Sequence, residues 1–404
     1  MQNANTKNKK RKRVFTQSKN GANASKKHKS NGFNQSKRFS PEKLIGKVKN
    51  ASSSSPLGKE NFENIPIDSR LRENISRKGY TLMTEIQEIS MNHLLDGLDL
   101  VGIANTGTGK TGAFLIPIIH RMITEVTKIK VMVLVPTREL ALQVQEEFES
   151  LTRGLGLISI TLIGGSNVNI DIQKLRKGFD LIIGTPGRTT DMIERRSLLP
   201  EHVSVLVLDE FDRMLDMGFS KEVMRIAKNM KNRSQTVLFS ATENENLRPL
   251  INELLENPVY VSSTMQTTTS ENVDQDIIRI QSGQEKFTVL LDLIVQDEFR
   301  KVLIFSETKR GVSKLTKKLK AKGFGVDEIH GNRSQAQRKK ALDLFRKGGI
   351  QVLTATDVAA RGLDIEDVSH VINYQLPGSM DSYIHRIGRT GRAGKTGHAI
   401  TFMN

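Results

Sequence analysis

The chain has 404 residues, 37% of them hydrophobic, with 61 Lys/Arg against 44 Asp/Glu and no Cys. That length suits two or three domains with real cores rather than one. Disulfides and thiolate metal sites are excluded. No apolar run approaches the roughly 18 residues of a membrane span, and the opening MQNANTKNKKRKR has no apolar segment, so neither a membrane protein nor a signal peptide is expected.

The net charge of +17 is unevenly placed. Residues 1–60 hold sixteen Lys/Arg and two Asp/Glu, a net +14, which leaves +3 for the other 344 residues. Residues 1–60 are rich in Asn, Ser, Lys and Gly and poor in apolar surface, so a disordered basic tail is expected there. Such a tail suits solubilisation, a nuclear address in a eukaryote, or an arm for nucleic acid. The clusters KNKKRKR (Lys7–Arg13) and KKHK (Lys26–Lys29) attract phosphate and favour the arm.

After Phe62 short apolar runs alternate with charged, helical segments. LDLVGIA (Leu98–Ala104), VMVLVP (Val131–Pro136), ISITLIGG (Ile158–Gly165), DLIIGTP (Asp180–Pro186), VSVLVLDE (Val203–Glu210) and QTVLFSAT (Gln235–Thr242) read as strands. Most lack in/out alternation, as parallel strands covered on both faces do. Residues 263–275, STMQTTTSENVDQ, are polar and aperiodic and read as a linker. Strands then resume with KVLIFSET (Lys301–Thr308), QVLTATD (Gln351–Asp357) and HVINY (His370–Tyr374). The expected fold is α/β, with two doubly wound parallel-sheet lobes, 61–262 and 276–404, joined by a short linker.

The first strand runs into ANTGTGKT (Ala104–Thr111), followed by a helical segment. Gly107 and Gly109 let the backbone wrap a phosphate, Lys110 suits the β/γ-phosphates, and Thr111 suits Mg²⁺. Ala104 stands where the strict phosphate-loop pattern has Gly. Downstream, VLVLDE delivers Asp209 to the carboxyl edge of the sheet, where such an ATPase needs an Mg²⁺ carboxylate, with Glu210 beside it to activate water. Taken alone, these acids suit a helix N-terminus equally well. In the second lobe HRIGRTGR (His385–Arg392) spaces Arg386, Arg389 and Arg392 three apart. That pattern fits either a polyphosphate site or a basic surface patch.

With these motifs the chain resembles the DEAD-box RNA helicases, from Phe62 to the end. The resemblance rests on ANTGTGKT, PTRELA (Pro136–Ala141), Gly164-Gly165, TPGR (Thr185–Arg188), DEFD (Asp209–Asp212), SAT (Ser240–Thr242), HGNRSQAQR (His330–Arg338), ATDVAARGLD (Ala355–Asp364) and HRIGRTGR, in that order. It implies two RecA-like lobes with ATP and single-stranded RNA bound across the cleft.

The resemblance also implies roles. ATP would lie on Phe62 and Gln87, which meet adenine, on the loop Ala104, Asn105, Thr106, Gly107, Thr108, Gly109, Lys110 and Thr111, and on Asp364 at the ribose. Mg²⁺ would be held by Thr111 and, through water, by Asp209. Glu210 would activate water, and Arg389 and Arg392 would reach the γ-phosphate. Asp212, Ser240, Thr242 and His385 would couple the nucleotide to RNA and to the other lobe. RNA phosphates would meet Thr137, Arg138, Gly165, Thr185, Arg188, Arg338 and Thr356.

Three departures from the family pattern stand out. The segment MTEIQ (Met83–Gln87) stands where the family usually has two prolines, Phe211 in DEFD replaces a usual Ala, and Gln375 in NYQLP replaces a usual Asp. Phe211 is expected to turn away from the site into packing, and Gln375 to touch an inter-lobe polar contact. With no Trp and four Tyr, an array of base-stacking platforms is not expected. The grip then runs through the nucleic-acid backbone and is largely blind to sequence. The expected function is an ATP-dependent RNA helicase that uses ATP and Mg²⁺ and acts on single-stranded and duplex RNA as a cytoplasmic monomer with no membrane partner. Its rivals are an ATP-gated RNA clamp or scaffold with little unwinding, and a DNA-translocating helicase.

Overall fold

The computed structural model describes residues 57–105, 107–242, 247–263, 273–360, 368–391 and 396–403. Most of the basic tail and the middle of the linker lie outside them. The first lobe is a seven-stranded sheet built from β3 (Leu100–Ile103), β4 (Val131–Leu134), β5 (Ser159–Leu162), β6 (Leu181–Gly184), β7 (Val205–Leu208), β8 (Gln235–Ser240) and β9 (Val259–Ser262). Its order is β5-β6-β4-β7-β8-β3-β9, with every described pairing parallel. The missing alternation in these strands has a direct cause. Val131 and Val133 point into one apolar core with Phe114, Leu115 and Val144, while Met132 and Leu134 point into another with Met192, Phe211 and Met214. Both faces are covered, so both sets of side chains are apolar.

The second lobe repeats the plan with six strands, β10 (Val273–Arg279), β11 (Val302–Phe305), β12 (Val326–Ile329), β13 (Val352–Ala355), β14 (His370–Asn373) and β15 (Gly397–Met403). They run parallel in the order β10-β15-β14-β11-β13-β12. Leu303 and Phe305 face one core with Phe345 and Tyr383, and Val302 and Ile304 face the other with Leu290 and Leu315. Among the described residues, no helix is long and apolar enough to cross a membrane.

Two expected boundaries shift. Leu57–Asn61, the end of the stretch read as tail, forms β1, antiparallel to β2 (Leu82–Thr84). The Lys59 N–H donates to Glu88 Oε2 at 2.8 Å, so this polar strand is held by tertiary contact rather than by its own apolar content. The linker is also shorter than expected. Ser263 N–H donates to Ile103 O at 3.0 Å, and Val273 to Gln275 already belong to β10.

Candidate functional site

The order of the first sheet arranges the motifs along its carboxyl edge. Gly164-Gly165 follows β5, TPGR follows β6, PTRELA follows β4, DEFD follows β7, SAT begins at the end of β8, and ANTGTGKT follows β3. The first-lobe residues expected to meet RNA therefore occupy the β5-β6-β4 half of the edge, while Arg338 and Thr356 belong to the second lobe. The phosphate loop, Asp209 and Glu210 occupy β7-β8-β3. The loops at the junction are the ones a chain reversal in strand order opens into a crevice.

On the nucleotide side, Gly107 and Gly109 adopt φ of 85° and 89°, a left-handed turn that only glycine takes without strain, and Gly109 caps the helix Lys110–Thr124. Lys110 is buried and donates from Nζ to Ala104 O at 2.9 Å, so its charge sits inside the loop. The Thr108 hydroxyl donates to Asn105 O at 2.8 Å, and Ala104 N–H to Ser240 O at 2.9 Å, which ties the loop to β8. Thr106, Asp364 and Arg392 lie outside the described residues.

Asp209 and Glu210 are both buried, and the Glu210 N–H donates to Asp209 Oδ1 at 2.9 Å. Burial raises the Asp209 carboxyl above the ordinary range; Lys110 opposes that shift and Glu210 adds to it. Burial also acts to raise Glu210, but Arg213, Lys110 and Arg389 together outweigh it and hold this carboxyl below its ordinary range. Glu210 thus stays ionised in a dry setting. Its backbone is left-handed, with φ of 53° and ψ of 49°, at a cost of about 1–2 kcal/mol for a residue with a Cβ. Arg213, which the motif reading passed over, supplies the nearest cation, with Nη1 donating to Glu210 Oε2 at 2.5 Å.

The coupling residues also converge. Asp212 Oδ2 accepts from the Ala241 N–H at 3.2 Å and the Thr242 hydroxyl at 3.4 Å, and Ser240 Oγ donates to Thr242 O at 2.8 Å. DEFD and SAT are therefore one hydrogen-bonded unit. From the second lobe, Arg389 lies close enough for its charge to act on Glu210. His385 lines a small crevice with Phe305, Asp357 and Arg386.

On the RNA side, the Arg138 guanidinium lies against the glycine pair. Gly165 has φ of 85°, which favours glycine, and a Cβ added there would sit 2.5 Å from Arg138 Nη1 and push the guanidinium aside. Burial depresses the Arg138 pKa, and the nearby charges of Arg338 and Arg188 depress it further against the opposing pull of Glu139. Three guanidiniums crowded this way favour an anion among them. Thr137 accepts from the Leu140 N–H as the cap of the helix Arg138–Leu151, and Thr185 stands at the start of the helix Pro186–Glu194. Thr356 is buried at the end of β13, its N–H directed at Ile329 O. Arg188 is partly committed within the lobe, donating to Ser166 O at 2.6 Å near Asp171 at 3.6 Å. Glu139 of PTRELA is a second residue the sequence reading missed. It receives Arg338 at 2.9 Å and Gln335 at 3.2 Å, both from the second lobe.

Residues 84–250 match the DEAD/DEAH box helicase family and residues 285–394 the helicase conserved C-terminal domain. The chain belongs to the DEAD-box ATP-dependent RNA helicases. It is 41% identical to the ATP-dependent RNA helicase CshA of Listeria monocytogenes over 342 residues, 85% of this chain and 66% of the relative. It is 40% identical over the same length to the DEAD-box ATP-dependent RNA helicase CshA of Bacillus licheniformis, 70% of which is covered. The chain thus spans about two thirds of the length of these curated relatives. Among solved structures it is similar to S. cerevisiae Dbp5 bound to RNA and ADP BeF3, with 30% identity, a TM-score of 0.74, and coverage of 85% of this chain and 89% of that one.

Several positions of this DEAD-box chain differ from what its sequence led us to expect. Phe62 does not present a ring to a base: it is 2% exposed and stacked on Tyr80 with centroids 6.2 Å apart, because the turn before the helix Ser69–Arg77 draws it into the core. Gln87 is engaged at both ends of its amide, accepting from Thr84 N–H at 2.9 Å and donating to Gly109 O at 3.0 Å. These bonds, with Glu85 Oε2 accepting from Ser263 Oγ at 2.6 Å, tie down the turn that lacks the two prolines. Phe211 is fully buried in the core beside Leu208 and Met214, as expected. Gln375 makes its contact within the second lobe, not between lobes: its Oε1 accepts from Ser306 Oγ and Glu307 N–H, both at 2.8 Å. Arg386, read as one of three phosphate candidates, is instead paired with Asp357 through Nε and Nη2.

Proposed function

We propose that this chain hydrolyses ATP in response to RNA, closing its lobes on both, and so separates short duplexes locally or remodels RNA–protein complexes. The observation that carries the reading is the sheet edge itself. Arg138 and Arg188 lie on one half of the first sheet's edge, with Arg338 of the second lobe close enough for its charge to act on Arg138, and the buried Lys110–Asp209–Glu210 group lies on the other half, where Asp212 bonds DEFD to SAT. In this reading Lys110 binds the terminal phosphates, Glu210 takes the proton of the attacking water, and Arg389, with Arg392, neutralises charge on the transferred phosphoryl group. Gln87, released from one of its two bonds, reads the base, and Asp364 meets the ribose. Thr137, Arg138, Gly165, Thr185, Arg188, Arg338 and Thr356 hold RNA phosphates, so recognition is largely independent of sequence.

Among the described residues no cluster of three or more His, Cys, Asp or Glu could hold a metal by itself. Buried Asp209, within reach of the charge of Lys110 in the phosphate loop, nevertheless fits Mg²⁺, which takes few protein ligands and keeps water and phosphate oxygens. Thr111 and, through water, Asp209 would hold it, and it would supply neutralising charge to the phosphates. The enzyme would act as a cytoplasmic monomer, or in the nucleus of a eukaryote. Its basic tail would gather RNA near the site without entering the chemistry. An ATP-gated clamp with little unwinding drew its support from the altered MTEIQ and DEFD segments, and both are accommodated here by local bonds and packing.

The test is ATP turnover by the purified chain with RNA, with DNA and alone, alongside strand displacement. RNA should stimulate turnover more than DNA does, and displacement should run through multiple rounds. Lys110→Ala should abolish turnover, while Glu210→Gln should still bind ATP and RNA. Deleting residues 1–56 should leave the RNA-saturated rate intact. It should also flatten the log–log salt dependence of RNA affinity, by about 0.7 for each RNA phosphate that the tail neutralises. RNA-indifferent hydrolysis would refute the proposal, and single-round binding without displacement would return the clamp.

A further inference from the structure

We infer that Arg213 is the positioning residue of the hydrolytic centre, holding the Glu210 carboxylate by one oxygen so that the other stays available to the attacking water. The inference rests on the proposed role of Glu210 as proton acceptor. It is carried by geometry that the family motifs do not describe. Arg213 is one helical turn beyond Glu210, in the short helix Phe211–Asp216, and is 1% exposed. Its Nη1 donates to Glu210 Oε2 at 2.5 Å.

The contact is monodentate although both groups could form a two-bond fork. Arg213 Nη2 is buried with no hydrogen-bond partner among the described residues. A buried donor left unmatched is costly, and a guanidinium free to optimise would close the fork. It is kept from doing so because Glu210 is fixed from the other side as well. Glu210 is one of three non-glycine residues with positive φ among the described residues, and its N–H is bonded to Asp209. Backbone and guanidinium together define where the carboxylate stands. In the step this serves, one proton of water passes to the free Glu210 oxygen as the water oxygen bonds to the γ-phosphorus. The bond from that phosphorus to the β,γ-bridging oxygen breaks, and its electron pair leaves on ADP. An unclamped carboxylate would have to find its orientation during the step, so the loss should fall on turnover and not on binding.

The experiment compares four variants of the full chain, Arg213→Gln, Arg213→Lys, Glu210→Gln and the Arg213→Gln/Glu210→Gln double, by RNA-saturated and single-turnover ATP hydrolysis and by ATP binding. Arg213→Gln should lower kcat at least tenfold while KM for ATP and half-saturation by RNA change less than twofold. Arg213→Lys should recover part of that loss, since one donor suffices for a one-oxygen contact. The double variant should be no slower than Glu210→Gln, because Arg213 acts only through that carboxylate. Should Arg213→Gln fail to fold, the double variant, which leaves no charge uncompensated, carries the comparison with Glu210→Gln. Wild-type kcat in Arg213→Gln, parallel loss of turnover and ATP binding, or a further tenfold fall in the double variant would each overturn the role of Arg213. Glu210→Gln turning over at the wild-type rate would instead overturn the assignment of the base.

Discussion

Arg213 in the first lobe and Arg386 in the second make the same kind of bond, a buried guanidinium donating to a carboxylate at 2.5 Å, and differ in everything around it. Arg386 grips Asp357 through Nε and Nη2, and its Nη1 donates to Asn373 Oδ1 at 3.1 Å and Gln375 O at 2.7 Å. Every nitrogen has an acceptor, and the residue joins the start of one motif loop to the strand β14 and the chain beyond it. Arg213 has a nitrogen with none among the described residues, and its partner carries a strained backbone. A fully satisfied buried arginine is a strut. One that is incompletely satisfied beside a strained carboxylate belongs to the chemistry, where such strain is kept.

The first way to press this contrast is to remove a residue that touches the reactive loop but is read as packing. Phe211 stands between Glu210 and Asp212, with its ring fully buried among Leu208, Met214 and their neighbours. Phe211→Ala should cost about 3–5 kcal/mol through the cavity it leaves. RNA-stimulated hydrolysis should survive at temperatures where the fold holds. Thermal unfolding and ATPase on the same preparation decide it. A variant as stable as wild type but inactive would show that the ring shapes the site, and the line between strut and chemistry would then run through DEFD differently.

The second test acts on the strut itself. Arg386→Ala leaves Asp357 without its partner, a change that costs about 3–5 kcal/mol for a fully buried pair. Here Asp357 is 24% exposed and water can reach it, so about 3 kcal/mol is expected, at the low end. Denaturant unfolding of Arg386→Ala should register that loss. Unchanged stability would mean that the network around Arg386 does not support the lobe, and the residue would return to the phosphate-binding candidates.

How much of this was legible in sequence follows from what each feature depends on. VMVLV and VLVL announce buried parallel strands because both faces of those strands demand apolar side chains, a local property. ANTGTGKT announces its loop because Gly107 and Gly109 must take positive φ. The strand Leu57–Asn61 was not legible, since LGKEN carries no apolar pattern and is fixed by Glu88, 29 residues away from Lys59. The covered ring of Phe62 depends on Tyr80 and the surrounding core, which no motif encodes. HRIGRTGR shows three arginines of equal standing. Only the fold distinguishes Arg386, with Asp357 close by, from Arg389, whose charge reaches Glu210.

Gln375 gives the smallest effect and the finest division between the two kinds of residue. Its side chain accepts from Ser306 Oγ and Glu307 N–H, so it closes the turn after β11 from within the same lobe. The family's usual Asp can also accept, so both residues offer an acceptor oxygen to this turn. Gln375→Leu removes that oxygen and strands the buried Ser306 hydroxyl, at a cost of about 1–2 kcal/mol. Gln375→Glu keeps the acceptor at the same reach and should stay within about 0.5 kcal/mol of wild type, the usual scale of a change that breaks no such feature. Neither variant should alter how RNA stimulates ATP hydrolysis, because the contact does not leave the lobe. If Gln375→Leu kept its stability but lost RNA stimulation, Gln375 would have to act across the cleft, and a residue with a satisfied side chain would then belong with Arg213 and not with Arg386.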